Sequence, residues 1–145
     1  MEILIKPWKE AQNDAFLVRQ KVFIHEQKVP ADLELDEYDA LAAHALAYLD
    51  GDCIGTGRLV DLGGGQAQIG RMAVLAQFRG AGMGKQILKK LIQLASSQGA
   101  KWIILHSQVA AIPFYEKQGF EVQGSMYDEA GIPQRNMILL LPNSV

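Results

Sequence analysis

The order of apolar and polar residues changes period several times along the chain. "EILIK" predicts a short strand that Pro7 ends, and apolar residues between Trp8 and Phe23 recur at nearly helical intervals, which predicts an amphipathic helix. Two apolar runs, "HALAYL" and "CIGTGRLVDL", flank "DGD", and Asp-Gly between apolar runs is a strong hairpin signal. The glycines at 63–65 turn the chain again into "QAQIGRMAVL". The pattern therefore predicts three consecutive antiparallel strands after the first helix.

A clearer helical pattern begins just after residue 82. One face is apolar, the opposite face carries lysines and glutamines, and Gly99 supplies a left-handed C-terminal stop. The apolar face consists of Met83, Ile87, Leu88, Leu91, Leu94 and Ala95. "AKWIILHS" is typical of a strand covered on both faces, and "AIPFYEKQGF" predicts a short helix. "EVQG" begins another strand and "RNMILLL" forms the last, so the order β-α-(α)-β-β-β-α-β-α-β-β predicts one α/β domain over residues 1–145.

Composition excludes several classes of protein. With a net charge of −2 at pH 7, the 145-residue chain lacks the general basic field that attracts nucleic acid. Its single cysteine, Cys53, excludes an internal disulfide and a multi-cysteine zinc site, and we expect no metal. The N-terminus lacks a signal-peptide pattern, and no apolar stretch reaches the roughly 18 residues of a membrane span. We therefore expect a cytoplasmic protein without membrane or nucleic-acid partners.

The stretch "QFRGAGMGKQIL" has three glycines at alternate positions directly before a lysine and an apolar run. A helix start offers unpaired N–H groups to an anion, and glycines allow a phosphate to approach them closely. The alternative is a glycine-rich turn that only joins a strand to a helix. Neither a Walker loop nor a dinucleotide fingerprint fits, because three residues separate Gly80 from Gly84, Gln86 follows Lys85, and no glycine occupies the sixth position.

Two segments together resemble the GNAT superfamily of N-acetyltransferases. In "GRMAVLAQFRGAGMGKQIL", Arg79, Gly82 and Gly84 match the acyl-CoA loop pattern, and "FYEKQGF" some thirty residues later matches the second signature. The segment "VFIHEQKVPADLELDEYDALAAHALAY" further resembles a small bacterial subgroup whose members mostly have no assigned substrate. The resemblance implies a mixed, mostly antiparallel sheet of six to seven strands flanked by about four helices. Two central strands would splay apart to form the acyl-CoA cleft.

The resemblance implies acetyl-CoA as the co-substrate and suggests where it binds. The backbone N–H groups of the loop would hold the pyrophosphate, and the strand before the loop would pair with the pantetheine arm. The implied cofactor-binding residues are Met72, Ala73, Val74, Arg79, Gly80, Ala81, Gly82, Met83, Gly84, Lys85, Gln108, Tyr115 and Lys117. The Val74 N–H is the implied donor to the thioester carbonyl, where it would act as an oxyanion hole.

Acid and base roles follow from the same resemblance. The family has a tyrosine at the position of Tyr115, near the sulfur, which implies a general acid for the leaving thiolate; a tyrosine's ordinary pKa is about 10. Many relatives use a glutamate as base on the strand before the loop, but "QIGRMAV" has none. The base candidates that remain are Glu26, Glu34, Asp36, His44 and His106.

The acidic segment from Glu26 to Asp39 has two interpretations. It is either a solvated loop, as charge runs usually are, or a lining of the acceptor mouth that attracts a cationic amine. Polyamine-like amines, amino sugars, amino acids and protein amines all remain open as acceptors. The expected activity is acetyl transfer to a primary amine by direct attack in a ternary complex. A non-catalytic CoA-binding regulatory module is the alternative, and a homodimer is common among relatives.

Overall fold

The computed structural model describes residues 1–142, so the last three residues of the predicted domain lie outside the described part. Seven strands form one sheet in the order β1-β2-β3-β4-β5-β7-β6. The strands are β1 (Glu2–Pro7), β2 (Ala43–Leu49), β3 (Asp52–Gly63), β4 (Gln66–Val74), β5 (Trp102–Gln108), β6 (Glu121–Glu129) and β7 (Ile132–Leu140). The α-helices are α1 (Trp8–Arg19), α2 (Ala31–Glu34), α3 (Met83–Ser97) and α4 (Ile112–Glu116). The fold class and the order of elements predicted from the sequence are confirmed.

The predicted hairpin between β2 and β3 turns at Asp50 and Gly51. Both residues have positive φ, 51° and 86°, which is the conformation that a two-residue hairpin turn requires. β1, β2, β3 and β4 then pair antiparallel, each with the next. The three consecutive antiparallel strands predicted after the first helix are therefore confirmed.

The first helix is longer than predicted, and its last part is wider than an α-helix. After α1 the chain continues as a π-helix over Gln20–Glu26, and the Gln27 N–H bonds the Val22 carbonyl five residues back at 3.0 Å. The prediction that the helix ends near Phe23 is wrong, because a change to the wider turn is not visible in apolar spacing. The extension carries Glu26 and Gln27 to the sites of the contacts described below.

The core lies on both faces of the sheet. α3 packs on one face through its apolar side chains, among them Ile87, Leu88 and Leu91, which are fully buried. The helix packs closely at Gly57, where a Cβ atom would lie 2.6 Å from the Met72 sulfur and 3.0 Å from Leu91, so these side chains would have to move to admit one. On the opposite face, small alanines of α1 pack against β2. The close helix–sheet packing explains the glycines inside β3.

The parallel pair β4–β5 separates soon after it begins. Its registered partners run only from Gln66 opposite Trp102 to Gln68 opposite Ile104. Beyond that point β4 pairs with β3 alone, and β5 pairs with β7. The two strands therefore leave a gap between their C-terminal halves, as the resemblance implied.

The opening of this gap corrects one prediction about β5. Its apolar run suggested a strand covered on both faces, but only alternate residues, Ile103, Leu105 and Ser107, are buried. His106 is exposed, since the face on which it lies borders the gap rather than a helix. The apolar run predicted the strand correctly, but it did not predict that only one face of β5 would be buried.

None of the helices within residues 1–142 combines the length and the apolar character needed to cross a membrane. In the same range, no group of three or more His, Cys, Asp or Glu side chains is arranged to hold a metal ion.

Candidate active site

A cleft of about 600 Å³ occupies the gap between β4 and β5. The end of the first helix, the α2 segment, α4 and the β6–β7 hairpin complete its walls. Its lining includes Met72, Ala73, Val74, Gln108 and Tyr115, which the family resemblance implied as cofactor-binding residues. It also includes several charged residues that the sequence analysis did not connect with one another.

The backbone of Val74 faces this cleft. The Leu75 N–H donates to the Ile54 carbonyl of β3 at 2.9 Å, and Val74 stands opposite Gly55. Because an antiparallel strand alternates the direction of its N–H groups, the Val74 N–H is directed away from β3 and toward β5. β5 has already separated there, so this donor is available to a ligand in the cleft.

A β-bulge in β4 precedes this exposed backbone. Thr56 pairs with Ala73 and Arg58 with Gly70, so β4 has one more residue than β3 in the interval. Arg71 lies inside the bulge with a φ of 50°, a left-handed conformation that a non-glycine residue rarely adopts. The bulge changes the direction of the strand where it begins to line the cleft.

The glycine loop before α3 leaves the helix start uncapped. Gly80 and Gly82 have φ values of 87° and 82°, which explains why both are glycines; a Cβ at either would meet nothing within 4 Å. No side chain among the described residues caps the first turn of α3. Its N–H groups, from Met83 to Lys85, therefore remain available to an anion.

The other predicted loop residues differ in exposure. Ala81 and Lys85 are exposed, Met83 is buried and offers only its backbone, and Gly84 is in ordinary van der Waals distance of Phe114. Lys117 lies exposed at the end of α4 and does not line the cleft. The structure thus brings together the loop, the β4 backbone and Tyr115, but not the Lys117 side chain.

Arg79 and Glu26, predicted for two different roles, bind each other. The Arg79 Nε donates to the Val74 carbonyl at 2.9 Å, and its two amino groups donate to the Glu26 carboxylate at 2.7 and 2.8 Å. The hydrogen bond from Arg79 holds the pKa of Glu26 below its ordinary value, and the same bond raises the pKa of Arg79. Every nitrogen of Arg79 is therefore engaged near the loop.

A pair of amides connects the two sides of the cleft. The Gln108 Nε2 on β5 donates to the Gln27 Oε1 at 2.7 Å. Gln27 follows directly on the π-helical turn, so the extension of the first helix reaches across to β5. Gln108 is consequently in the cleft, as the resemblance implied, with a protein partner that the sequence did not indicate.

Tyr115 projects from α4 into an aromatic environment. Its ring makes edge contacts with Phe114 and Phe120, with ring centroids 5.0 and 5.9 Å apart. Loss of hydration raises the pKa of Tyr115 to about 12. With this pKa the hydroxyl stays protonated at neutral pH. It has no hydrogen-bond partner within residues 1–142, so it is free to donate to a ligand.

The five base candidates are in different surroundings. Glu26 is paired with Arg79, and Glu34 and Asp36 line the cleft but bind arginines. His44 is buried, bonds the Asp39 carbonyl at 2.9 Å and does not line the cleft; burial lowers its pKa. Only His106 among these candidates both lines the cleft and makes no hydrogen bond with the described residues.

A buried ion network, which the sequence analysis missed, holds the acidic segment against the sheet. Arg19 of α1 donates to Glu34 at 2.5 Å and to both Asp39 oxygens at 2.7 and 3.0 Å, and Arg58 of β3 binds Asp36 and Asp39. Glu34 and Asp39 are each 2 % exposed. The interpretation as a solvated loop fails for Glu34 and Asp39, which are buried and paired with arginines, whereas Asp32 and Glu37 of the same segment are exposed.

The network sets the charge states of its members. Burial alone would raise the pKa of Asp39, but the hydrogen bonds and charges of Arg19 and Arg58 outweigh it and hold that pKa below its ordinary value. The pKa of Asp36 is lowered in the same way against burial, by Arg58 and then Arg71. A signal for this arrangement existed, since Arg19 and Arg58 interrupt apolar stretches and a buried arginine needs carboxylate partners.

A splayed strand pair, free backbone N–H groups and an uncapped glycine loop define a cleft suited to an acyl thioester with a phosphate-containing carrier. A family model for the acetyltransferase (GNAT) domain matches residues 9–141. The chain belongs to this family and is a GNAT superfamily N-acetyltransferase.

Relatives support the assignment over the whole length. The chain is 37 % identical over 139 residues to the uncharacterised N-acetyltransferase YjcF of Bacillus subtilis, covering 95 % of this chain and 99 % of that one. It superposes on an acyl-CoA N-acyltransferase from Pseudomonas aeruginosa with a TM-score of 0.86 at 26 % identity, covering 96 % and 99 % of the two chains. Escherichia coli ElaA has the same fold, with a TM-score of 0.87 at 23 % identity and coverage of 96 % and 99 %.

Proposed function

We propose that this acetyltransferase moves the acetyl group of acetyl-CoA to a primary amine of a small molecule or peptide, by direct attack in a ternary complex. The observation that carries the proposal is the free Val74 N–H in the gap between β4 and β5. The Pseudomonas aeruginosa relative, an acyl-CoA N-acyltransferase, supports an acyl-CoA as the donor. Bound in this cleft, acetyl-CoA would supply an activated thioester.

The glycine loop fits the phosphate end of such a donor. Three successive N–H groups at the start of α3 have no cap, and the positive end of the helix dipole favours an anion there. Left-handed glycines hold the loop, and the space above them is open. Residues Gly80 to Lys85 would therefore bind the pyrophosphate mainly through backbone, with Arg79 able to contribute once Glu26 releases it.

Two groups would act on the reacting thioester. The Val74 N–H would hydrogen-bond the carbonyl oxygen as negative charge develops on it. The Tyr115 hydroxyl would donate a hydrogen bond to the sulfur as the carbon–sulfur bond breaks. The pKa of Tyr115, about 12, lies above the roughly 8.5 of an ordinary thiol, so the hydroxyl would stabilise the leaving thiolate by a hydrogen bond, and the thiolate would then take its proton from water.

His106 is the base that we propose for the amine proton. A ring nitrogen of neutral imidazole can accept a proton from an attacking ammonium directly or through one water. The strand register supports this position. Gln68 stands opposite Ile104, and His106, two residues further along β5, lies on the same face as Ile104. Arg58 stands opposite Gly70, two residues from Gln68, so His106 and Arg58 lie on the same face of the sheet. That face is the acceptor side of the cleft, opposite the face covered by α3.

The proposal is tested by release of thiol from acetyl-CoA across a panel of amines. We expect amine-dependent thiol release in the wild type and a decrease of at least about tenfold in Tyr115→Phe, which keeps the ring and removes the hydroxyl. CoA affinity should be nearly unchanged in that variant. Binding of CoA without amine-dependent release by the wild type would instead indicate a non-catalytic CoA-binding module.

A further inference from the structure

Arg71, at the acceptor side of the cleft, uses only part of its guanidinium for internal contacts. Its Nε donates to the Glu34 carbonyl at 3.0 Å, and its Nη2 donates to the Leu33 carbonyl at 3.3 Å and to Asp36 at 3.2 Å. Its Nη1 has no partner within the described range. Among the described residues, Glu34 Oε2 is the one side-chain polar atom that is both fully buried and without a partner. Since Arg71 Nη1 also has no partner among them, it must be accessible to solvent.

The backbone at Arg71 supports a role for its side chain in binding. The residue keeps a left-handed φ of 50° inside the β4 bulge, where glycine would fit without strain. Strained conformations of this kind concentrate at sites where the position of a side chain matters. Three fixed hydrogen bonds then hold the guanidinium at the cleft wall, with 27 % of the side chain exposed.

Arg71 is the arginine of this network with the weakest hold on an internal acid. It shares the Asp36 carboxylate at 3.2 Å with Arg58, which already holds it through both oxygens, and Glu34 lies 3.9 Å from its Nε. The network's three arginines and three carboxylates balance in formal charge, so an added anion would be held here by the free Nη1 donor. A singly charged carboxylate suits this point better than a phosphate dianion, because only one amino group is free and Asp36 lies beside it.

The facing wall offers the complementary charge. Glu129 of β6 lines the cleft, is exposed and forms no ion pair with the residues described. Glu129 and His106 line the cleft on the side of the gap away from β4, so an ammonium group at this wall would face a carboxylate and the proposed base while an anionic group of the same molecule contacts Arg71. The cleft therefore presents a cation on one side and an anion on the other.

We infer that Arg71 Nη1 binds a carboxylate of the acceptor, so that the substrate class is an amine that also carries a carboxylate, such as a free amino acid or an ω-amino acid. The inference rests on the proposed acetyl transfer and narrows its acceptor. It predicts discrimination against plain alkylamines, diamines and amino phosphates of the same length.

The test compares γ-aminobutyrate with butylamine, putrescine and aminoethyl phosphate, in the wild type, Arg71→Gly and Arg71→Lys. Arg71→Gly suits the left-handed backbone and removes the guanidinium, and Arg135→Ala, outside the cleft lining, is the control. We expect kcat/KM for γ-aminobutyrate to exceed that for butylamine by at least about tenfold, and this ratio to fall at least about tenfold in Arg71→Gly. Arg71→Lys should keep part of the preference, and Arg135→Ala all of it. A structural role alone would lower both rates and leave the ratio unchanged.

Calorimetric titration of γ-aminobutyrate in the presence of CoA separates the two proposals. Binding that Arg71→Gly weakens at least about tenfold, without turnover of any amine, supports the carboxylate site and contradicts the transfer reaction. Turnover of butylamine or putrescine at rates equal to γ-aminobutyrate, or an unchanged ratio in Arg71→Gly, overturns the inference while the transfer reaction stands. A preference for aminoethyl phosphate overturns the choice of a carboxylate.

Discussion

The substitution Arg19→Met tests the buried network most severely. Arg19 is 1 % exposed, and its charged contacts join α1 to the acidic segment through Glu34 and Asp39. Methionine keeps an unbranched side chain of similar length but removes the charge. Asp39 would retain Arg58, whereas Glu34 would be left buried, with Arg71 Nε at 3.9 Å as its remaining ion partner.

The expected cost follows from that loss of partners. Removing one member of a buried ion pair costs about 3–5 kcal/mol of unfolding free energy, because an uncompensated charge stays buried. For a chain of this size that corresponds to a decrease in Tm of roughly 9–15 °C. A matched exposed charge, removed as Lys90→Met, should change stability by less than about 0.5 kcal/mol. Urea unfolding followed by circular dichroism measures both.

The pH dependence gives a second readout of the same substitution. Arg19, together with Arg58, depresses the folded-state pKa of Asp39, so this contribution is present above the unfolded value of about 3.9 and is lost as pH falls through the lower folded value. The difference in stability between wild type and Arg19→Met should therefore shrink as pH falls below about 4. In addition, Arg19→Met with Glu34→Leu should recover part of the loss, since it removes the stranded carboxylate. A loss below about 1 kcal/mol for Arg19→Met at neutral pH would refute the reasoning.

Three further predictions concern the donor side of the cleft. Gly82→Ala, at a φ of 82°, should weaken CoA binding at least about tenfold through loop strain. Gly99→Ala, at a φ of 83° beyond the other end of α3, is the matched control and should bind normally; calorimetry decides, and equal binding by both would contradict the loop's role. Glu26→Gln should tighten CoA binding by up to about fivefold, because it frees Arg79 from an exposed ion pair; an unchanged affinity would show that Arg79 does not contact the phosphates. Burial raises the pKa of Tyr115 to about 12, so the contribution of the neutral phenol to stability is complete below about pH 10 and is lost as pH rises toward 12. Between these pH values the wild type should therefore lose more stability than Tyr115→Phe, and parallel curves of stability against pH would contradict the raised pKa.

The raised pKa of Tyr115 also shows one limit of the sequence. The ordinary tyrosine pKa of about 10 would place an alkaline limb of the rate near that pH, whereas the raised pKa of Tyr115 moves any such limb to about 12. The loss of hydration around a particular side chain depends on which residues surround it in the fold. The aromatic neighbours Phe114 and Phe120 are close in sequence, but their edge contacts with the ring could not be derived from spacing alone.

Local signals predicted most of the fold, and the family resemblance supplied the β4 residues and Tyr115 that line the cleft. Apolar periodicity, Asp50-Gly51 and the glycine loop are short-range features whose physical meaning does not depend on the rest of the chain. The acceptor half depends on contacts between distant segments. Arg19, Glu34 and Arg58 come from α1, α2 and β3, and no local pattern specifies which acid meets which arginine. The left-handed conformation of Arg71 could not be predicted either, because an arginine within a strand pattern does not indicate a bulge.

The most direct test of the proposed transfer uses acetyl-CoA labelled in its acetyl group, with γ-aminobutyrate and butylamine as acceptors. Mass spectrometry of the amines and thiol release are followed together. The account predicts that the labelled acetyl group appears on nitrogen in an amount equal to the thiol released, with the rate reduced at least about tenfold in Tyr115→Phe. Thiol released without labelled amide, or CoA bound with neither product formed, would contradict acetyl transfer to an amine.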